Sequence, residues 1–295
     1  MAGTYRTERV EALVASQNTD GGWGYFAGKR SWLEPTVYGL LALHDQMEQP
    51  HWRRGWELVR SWQLPDGSWR PNEQVVESHW STALAVTLHC ARQAFDDKFH
   101  RGVDWLLDQR GEESTNLSRF LGLFVANNIG HDRKFSGWPW LPGTTSWIEP
   151  TSHALVALKR AAPRITGGNL RRRVTLAEGM ILRRRCADGG WNYGSRAALG
   201  VDLPSYPETT ALALLGLQSC GEADLSHDLV RARELWRECK SPLGRAWLAI
   251  SLRNFGVDLP EDDRQLSKND TLATALEALS APSGGHAFLR PEAMV

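Results

Sequence analysis

The chain repeats itself without a gap. Residues 22–43 recur 115 positions later as residues 137–158, with eleven identities over 22 positions. Gly22-Trp23-x4-Gly28-x2-Ser31-Trp32-x-Glu34-Pro35-Thr36 returns as Gly137-Trp138-x4-Gly143-x2-Ser146-Trp147-x-Glu149-Pro150-Thr151. Leu40, Ala42 and Leu43 return as Leu155, Ala157 and Leu158. Two weaker copies are present. Gly67-Ser68-Trp69 precedes His79-Trp80-Ser81-Thr82, and Gly189-Gly190-Trp191 precedes Glu208-Thr209-Thr210. A recurring unit of this kind buries its apolar face on its neighbours, so the chain must stack or close into a ring. The paired Gly28/Gly143 and Pro35/Pro150 constrain the backbone alike, which predicts one path for residues 22–35 and 137–150.

Between the repeats the pattern is helical. Apolar residues recur at three- and four-residue spacing in Val10-Leu13-Val14, Leu121-Phe124-Val125 and Leu248-Ile250-Leu252. The spacing predicts helices near 5–17, 36–46, 52–63, 79–93, 98–109, 115–128, 150–161, 169–185, 208–219, 226–238, 242–255 and 270–280, and few or no strands. They are of two kinds. Thr36–Leu43, Thr82–Leu88, Thr151–Leu158 and Thr210–Leu217 are Ala/Leu-rich with few charges, and a helix apolar all round is buried on all sides. Tyr5–Gln17, Trp52–Gln63, Leu170–Arg185 and Leu229–Lys240 carry Arg, Lys and Glu on one face. Alternation of the two predicts an all-α fold, a single α/α toroid of about twelve helices in two concentric rings. The toroid is expected over residues 1–281. The tail 282–295, with Pro282, Gly284, Gly285 and Pro291, is expected to fray. The Trp-, Pro- and Gly-rich loop Gly130–Ser146 is expected at the ring's mouth.

Composition narrows the function. Thirty-four Lys+Arg balance thirty-four Asp+Glu, so no polyanion-binding excess points to nucleic acid. No apolar run approaches the roughly 20 residues of a membrane-spanning helix, and the N-terminus opens without a signal-peptide stretch. Cys90, Cys186, Cys220 and Cys239 are dispersed without a CxxC pair, as expected of buried thiols in a cytoplasmic protein. Fourteen Trp against eight Phe and five Tyr inverts the usual order of aromatics.

Gln17-x3-Gly21-Gly22-Trp23 and Gln63-x3-Gly67-Ser68-Trp69 resemble the Gln–Trp motif of squalene–hopene cyclases and other terpene cyclases. The prenyltransferase/squalene oxidase repeat of protein prenyltransferase β-subunits is similar. Cys186-Ala187-Asp188-Gly189-Gly190-Trp191 matches with Arg185 in place of Gln, and Asp20, Asp66 and Asp188 precede the glycines each time. The resemblance covers the chain to about residue 220. It implies an α/α toroid in which Gln17, Gln63, Trp23, Trp69 and Trp191 tie neighbouring hairpins together as scaffold. It also implies departures. The Asp-x-Asp-Asp-Thr motif of class II cyclases is represented by Trp32-Leu33-Glu34-Pro35-Thr36 and Trp147-Ile148-Glu149-Pro150-Thr151, where the middle acid survives as Glu and both flanking acids are gone. The Asp-x-Cys zinc loop of prenyltransferases is absent. Trp191-Asn192-Tyr193-Gly194 puts Asn where lanthionine cyclases have a zinc-binding Cys. The thioester motif of complement-type domains and the Asp-Asp-x-x-Asp of class I synthases are missing as well.

The candidate chemistry follows from the repeat. Glu34, Glu149 and Glu208 each open an apolar helix, so three carboxylates converge on one end of the ring. Desolvation there raises a carboxyl pKa and makes a proton donor. The competing reading is a helix cap, since Glu before a first-turn proline also favours the dipole. His153 lies four residues after Glu149 on one helix face, and His79 falls where Glu34 would be in the second copy. With Glu149 these two histidines have the donor types of a divalent metal, against the plainer reading of core histidines. Trp32, Tyr38, Trp80, Trp138, Trp140, Trp147 and Tyr193 cluster at inner-helix starts and in the loops before them. Such walls suit isoprenoid chains and stabilise carbocations, or they simply fill the repeat. Cys186 reads as a buried small hydrophobe. Arg171–Arg173 and Arg183–Arg185 read as a solvated helix face, with an anion site as the alternative.

The residues are therefore read as a terpene-cyclase-like or prenyltransferase-like protein. It acts on or binds a hydrophobic isoprenoid in a central aromatic-lined cavity, with Glu34, Glu149 or Glu208 as acid. His79 and His153 join the aromatics as substrate-binding residues. No cofactor and no resident metal are called for, and a second protein subunit stays open as a partner. The alternative is a non-catalytic binding module that keeps the toroid for a protein or lipid partner.

Overall fold

The structure, a computed structural model, describes residues 2–112, 134–166, 169–198, 200–221, 223–260, 267 and 269–291. Eleven α-helices lie among them: α1 (Ala2–Ala15), α2 (Leu33–Ala42), α3 (Pro50–Ser61), α4 (Thr82–Arg92), α5 (Asp97–Asp108), α6 (Ile148–Ala161), α7 (Asn169–Arg183), α8 (Pro207–Leu217), α9 (Ser226–Glu238), α10 (Pro242–Asn254) and α11 (Thr271–Ser280). The helix expected at 115–128 lies outside the described residues. A two-residue hairpin, β1 (Ala197–Ala198) with β2 (Val201–Asp202), is the strand pairing among them.

The apolar helices form the inner ring. α2 packs on α4, α4 on α6, α6 on α8, α8 on α10, α10 on α11, and α11 returns to α2. Every residue of α8 from Thr209 to Leu217 is buried, as the all-round apolar pattern requires. The amphipathic helices α1, α3, α5, α7 and α9 lie outside, each against one or two inner helices. Inner α10 follows α9 as expected of the alternation, but α11 is inner too. The buried charge of the inner ring at Lys159 is paired: Lys159 of α6 meets Glu178 of α7 at 2.6 Å and donates to the carbonyls of Gly216 and Gln218 at the end of α8.

Each repeat is wired in the same way. The backbone N–H of Trp23, Trp69, Trp138 and Trp191 donates to the hydroxyl of Thr36, Thr82, Thr151 and Thr210, at 2.9–3.0 Å. The indole N–H of Trp23, Trp69 and Trp191 donates to the carbonyl ten residues earlier, at the end of the outer helix, and that of Trp138 to Leu106. Gln17 donates to His51 and Gln63 to Lys98, reaching the next outer helix, while Arg54 and Arg101 donate back to the two glutamines. The two strong copies share their backbone. Gly28 and Gly143 both have positive φ, +72° and +79°. Trp32 and Trp147 precede their helices at φ −127°, ψ 151° and φ −126°, ψ 158°. Exchanging Thr82 for Val, which leaves the buried Trp69 N–H without its acceptor, is expected to cost about 1–3 kcal/mol in urea unfolding.

The described part of the tail, residues 282–291, packs on the inner ring. His286–Leu289 form a 3-10 turn packed on α10 and α4. Gln218 and Asn254 donate to the carbonyls of Leu289 and His286, and Leu289 is buried. The prolines and glycines there supply turns, and the exposed backbone that composition suggested is taken up by side chains of the inner ring. No described helix is long and apolar enough to cross a membrane.

Candidate active site

The inner helices all begin at one face, and their loops are hydrogen bonded into a collar. The residue two after each repeat tryptophan accepts a backbone N–H from the start of a neighbouring inner helix. Leu33 donates to Pro71, Trp80 to Trp140, Ile148 to Tyr193 and Thr271 to Tyr25, at 2.8–3.3 Å. Glu34, Glu149 and Glu208 stand in the first turns of α2, α6 and α8, each partly buried, and Glu149 feels the charge of both others. Burial pushes the Glu149 carboxyl up to about 8, and the negative charges of Glu34 and Glu208 add to it. Burial also raises Glu34, against which a hydrogen bond from the Tyr25 hydroxyl, 2.6 Å to Oε2, acts in the opposite direction. Glu208 leans toward the start of α10, where a Cβ on Gly244 would meet its Oε1 at 2.7 Å.

Below the mouth the bore is filled with rings. Tyr38 and Trp247 meet edge to face at 5.2 Å, His153 and Trp80 stack at 5.0 Å, and the Tyr38 hydroxyl lies 3.4 Å from His153 Nδ1. Burial lowers His153 to about 3 and His79 to about 4, so both are neutral at physiological pH. His79 is held by the Ser81 hydroxyl at 3.0 Å. Among the described residues no three His, Cys, Asp or Glu side chains converge as a metal site. The expected register of the second copy is one residue off. The Trp69–Thr82 bond makes Thr82 the counterpart of Thr36, so Trp80, not His79, stands at the position of Glu34.

Above the bore, a pocket of about 320 Å³ is walled by Trp147, Tyr193, Tyr206 and Leu203, with Thr145, Ser146, Arg184, Asn192 and Ser195 at its edges. Trp147 and Tyr206 immediately precede α6 and α8, so the pocket adjoins the two helix starts that carry Glu149 and Glu208. Trp147, Tyr193 and Tyr206 are 37%, 45% and 45% exposed. Trp32 is partly buried against Tyr25 at 5.7 Å, and Trp140 meets Trp80 edge to face at 5.1 Å. Trp138 is different: it is buried between the rings beneath the Arg173 guanidinium, with its indole N–H committed to Leu106, and it serves as scaffold in the manner of Trp23. The residues overlooked in the sequence are Tyr25, Tyr206, Leu203, Arg184 and Trp247. A signal for Tyr25 was present, because the position two after the repeat tryptophan is aromatic in three copies: Tyr25, Trp140 and Tyr193.

No family model and none of the curated protein sequences matches this chain. Solved structures do. Type II terpene cyclase MstE from Scytonema, in its apo form, aligns over 95% of this chain and 97% of its own at a TM-score of 0.56 and 15% identity. The chain has the α/α-toroid fold of terpene cyclases. Glycosidases share it. An inactive variant of alpha-1,6-mannanase GH76A of Salegentibacter sp. HEL1_6, in complex with alpha-1,6-mannotriose, aligns over 98% of this chain and 100% of its own, with a TM-score of 0.63 at 9% identity. Endoglucanase Cel10 from Klebsiella pneumoniae, a family 8 glycosyl hydrolase, covers 93% and 97% at 0.55 and 14%. At such identities the likeness carries the fold alone, and function must be argued from the mouth.

Proposed function

We propose that the mouth is a general acid–base site acting on an apolar, isoprenoid-type substrate. In this reading Glu149 is the proton donor and Trp147, Tyr193, Tyr206 and Leu203 are the walls that hold the chain. The observation that carries the reading is a carboxyl held protonated near pH 7 in the first turn of the helix that Trp147 of the pocket wall immediately precedes, within reach of the charges of two other carboxylates. A neutral carboxylic acid can hand its proton to an alkene or oxygen, and ring faces stabilise the cation that forms. Trp32, Trp140 and Trp80 would continue the wall inward, with Tyr38, His79 and His153 beneath it. In support, a structure of the same fold, a variant of terpene cyclase MstE, holds geranylgeranyl dihydroxybenzoate as substrate.

A second reading has its own support. The flanking acids that strengthen a class II cyclase donor are replaced by Trp147 and Pro150, and an acid of pKa about 8 is weak for protonating an alkene. Protonation of a glycosidic oxygen asks less of the acid and needs a partner carboxylate, as in the glycosidases that share the toroid. One experiment separates the two. The protein is incubated at pH 6–7 with a geranylgeranyl-aryl substrate and, separately, with alpha-1,6- and beta-1,4-linked oligosaccharides, and products are read by mass spectrometry. The isoprenoid reading predicts a product of unchanged mass with fewer alkenes. Gain of one water by an oligosaccharide would replace it with the second reading. Binding of the isoprenoid without conversion would leave a non-catalytic module.

A further inference from the structure

The duplication places Glu34 and Glu149 in equivalent positions, yet one difference between the copies falls on a side chain bonded to the first of them. Two after the repeat tryptophan the first copy has Tyr25 and the second Trp140. The Tyr25 hydroxyl donates to Glu34 Oε2 at 2.6 Å, and its ring is held against Trp32 at 5.7 Å. Trp140 has no hydroxyl, and its ring packs edge-on against Trp80 instead. The Tyr25 backbone is fixed as well, because its carbonyl accepts from Thr271 at the start of α11. The donor is therefore built into the collar.

We propose that Tyr25 is a positioning residue that divides the two repeat-related glutamates by role, keeping Glu34 as the carboxylate and so leaving the shared proton on Glu149. The inference rests on the acid–base reading of the mouth and deepens it. A hydroxyl that donates to a carboxyl oxygen favours the ionised form. Two carboxyls within reach of one another do not ionise together easily, so the one with the donor loses its proton first and its charge holds the proton on the other. Glu34 then serves as base or as counter-charge to a cation in the pocket, and Glu149 as acid. Equivalent positions of two repeats thus supply both partners of a proton transfer. The proton that Glu149 gives up to substrate is matched by one that Glu34 can receive from product, and the site returns to its starting charge.

Glu34 faces Tyr25 and Tyr38, and Glu149 faces Glu34 and Glu208. Tyr193 from the collar feels both Glu208 and Glu149. His79 and His153, lowered to about 4 and about 3, are neutral across the Glu149 midpoint near pH 8.

The test follows the carbonyl stretch of the protonated carboxyls by infrared difference spectroscopy across pH 4–10, in the full chain without substrate. Wild type is expected to show one carboxyl titrating near pH 8, absent in Glu149→Gln. Glu34→Gln removes the neighbouring charge, so the Glu149 midpoint is expected to fall by about one pH unit, a tenfold change in proton affinity. In Tyr25→Phe and Tyr25→Trp the Glu34 midpoint is expected to rise and that of Glu149 to fall. The helical circular dichroism of each variant is recorded alongside. An unchanged titration in a folded Tyr25→Phe overturns the proposal. If that variant fails to fold, Tyr25→Trp carries the same test, and an unmoved Glu149 midpoint in Glu34→Gln also overturns the proposal. The outcome is separable from the functional reading. Titrations as expected with no turnover of any substrate would retire the enzyme and keep the proton assignment. Turnover with unaltered titration in Tyr25→Phe would do the reverse.

Discussion

Arg9→Ala is expected to destabilise the protein by about 3–5 kcal/mol, measured by urea unfolding at neutral pH. Arg9 stands on α1 and Glu277 on α11, 268 residues apart, with Nε to Oε2 at 3.0 Å and side chains only 1% and 4% exposed. The pair joins the first outer helix to the last inner helix and so ties the two ends of the described ring together. Removing the guanidinium takes the charge at 3.0 Å away from a buried carboxylate, and that lost compensation is the main cost. Arg9 also spreads its guanidinium over the Tyr5 ring at 3.6 Å, so part of the loss is packing. The double variant Arg9→Met with Glu277→Leu is expected to recover much of the stability, since an apolar pair of similar volume carries no desolvation cost. A loss below about 1 kcal/mol in Arg9→Ala would show that the ring closes through α11 and α2 alone.

Glu149→Gln is expected to lower turnover of a verified substrate by about 10²–10⁴-fold, the usual worth of a general acid, while leaving the fold intact. Gln keeps the size and the hydrogen-bonding oxygen but has no proton to give. Glu149 opens α6 behind Trp147, whose side chain makes no capping bond to the helix, and α6 is anchored by the Thr151 hydroxyl and the collar bond from Ile148. Loss of a carboxylate cap is therefore not the expected effect. A fall in stability of about 0.5–2 kcal/mol with activity retained would return Glu149 to the capping role that its place before Pro150 also allows.

Much of this fold could be read from the chain because its information is local and repeated. Trp23 and Thr36 are thirteen residues apart, as are Trp69 and Thr82, and Trp138 and Thr151, and that spacing is the bond that builds each unit. The buried helices announced themselves in Thr210–Leu217 and its counterparts, where nothing charged interrupts the apolar run. The second copy was misread by one residue because His79 looked like a functional counterpart of Glu34, although the thirteen-residue spacing already pointed to Trp80. The rest was hidden for a physical reason. Tyr38 meets His153 across 115 residues, Arg9 meets Glu277 across 268, and Trp247 enters the bore from a helix outside the repeat. Such partners are chosen by ring closure, and no local pattern records them. Tyr25 was missed for a narrower cause: its importance lies in a side-chain bond to Glu34, which the aligned Trp140 cannot make by the same atom.

The central claim is that the mouth holds Glu149 protonated at neutral pH, and the stability gap between wild type and Glu149→Gln as a function of pH tests it directly. A carboxyl raised from its ordinary 4.5 to about 8 on folding keeps its proton in the native state while the unfolded chain has already released it. Its favourable contribution is complete below about pH 4.5 and is lost as the pH rises through about 8. Glutamine does not titrate. Urea unfolding from pH 5 to pH 9 is therefore expected to show Glu149→Gln gaining on wild type steadily up to about pH 8 and then levelling. A stability difference that stays flat, or one in which Glu149→Gln loses ground to wild type as the pH rises, would contradict the account.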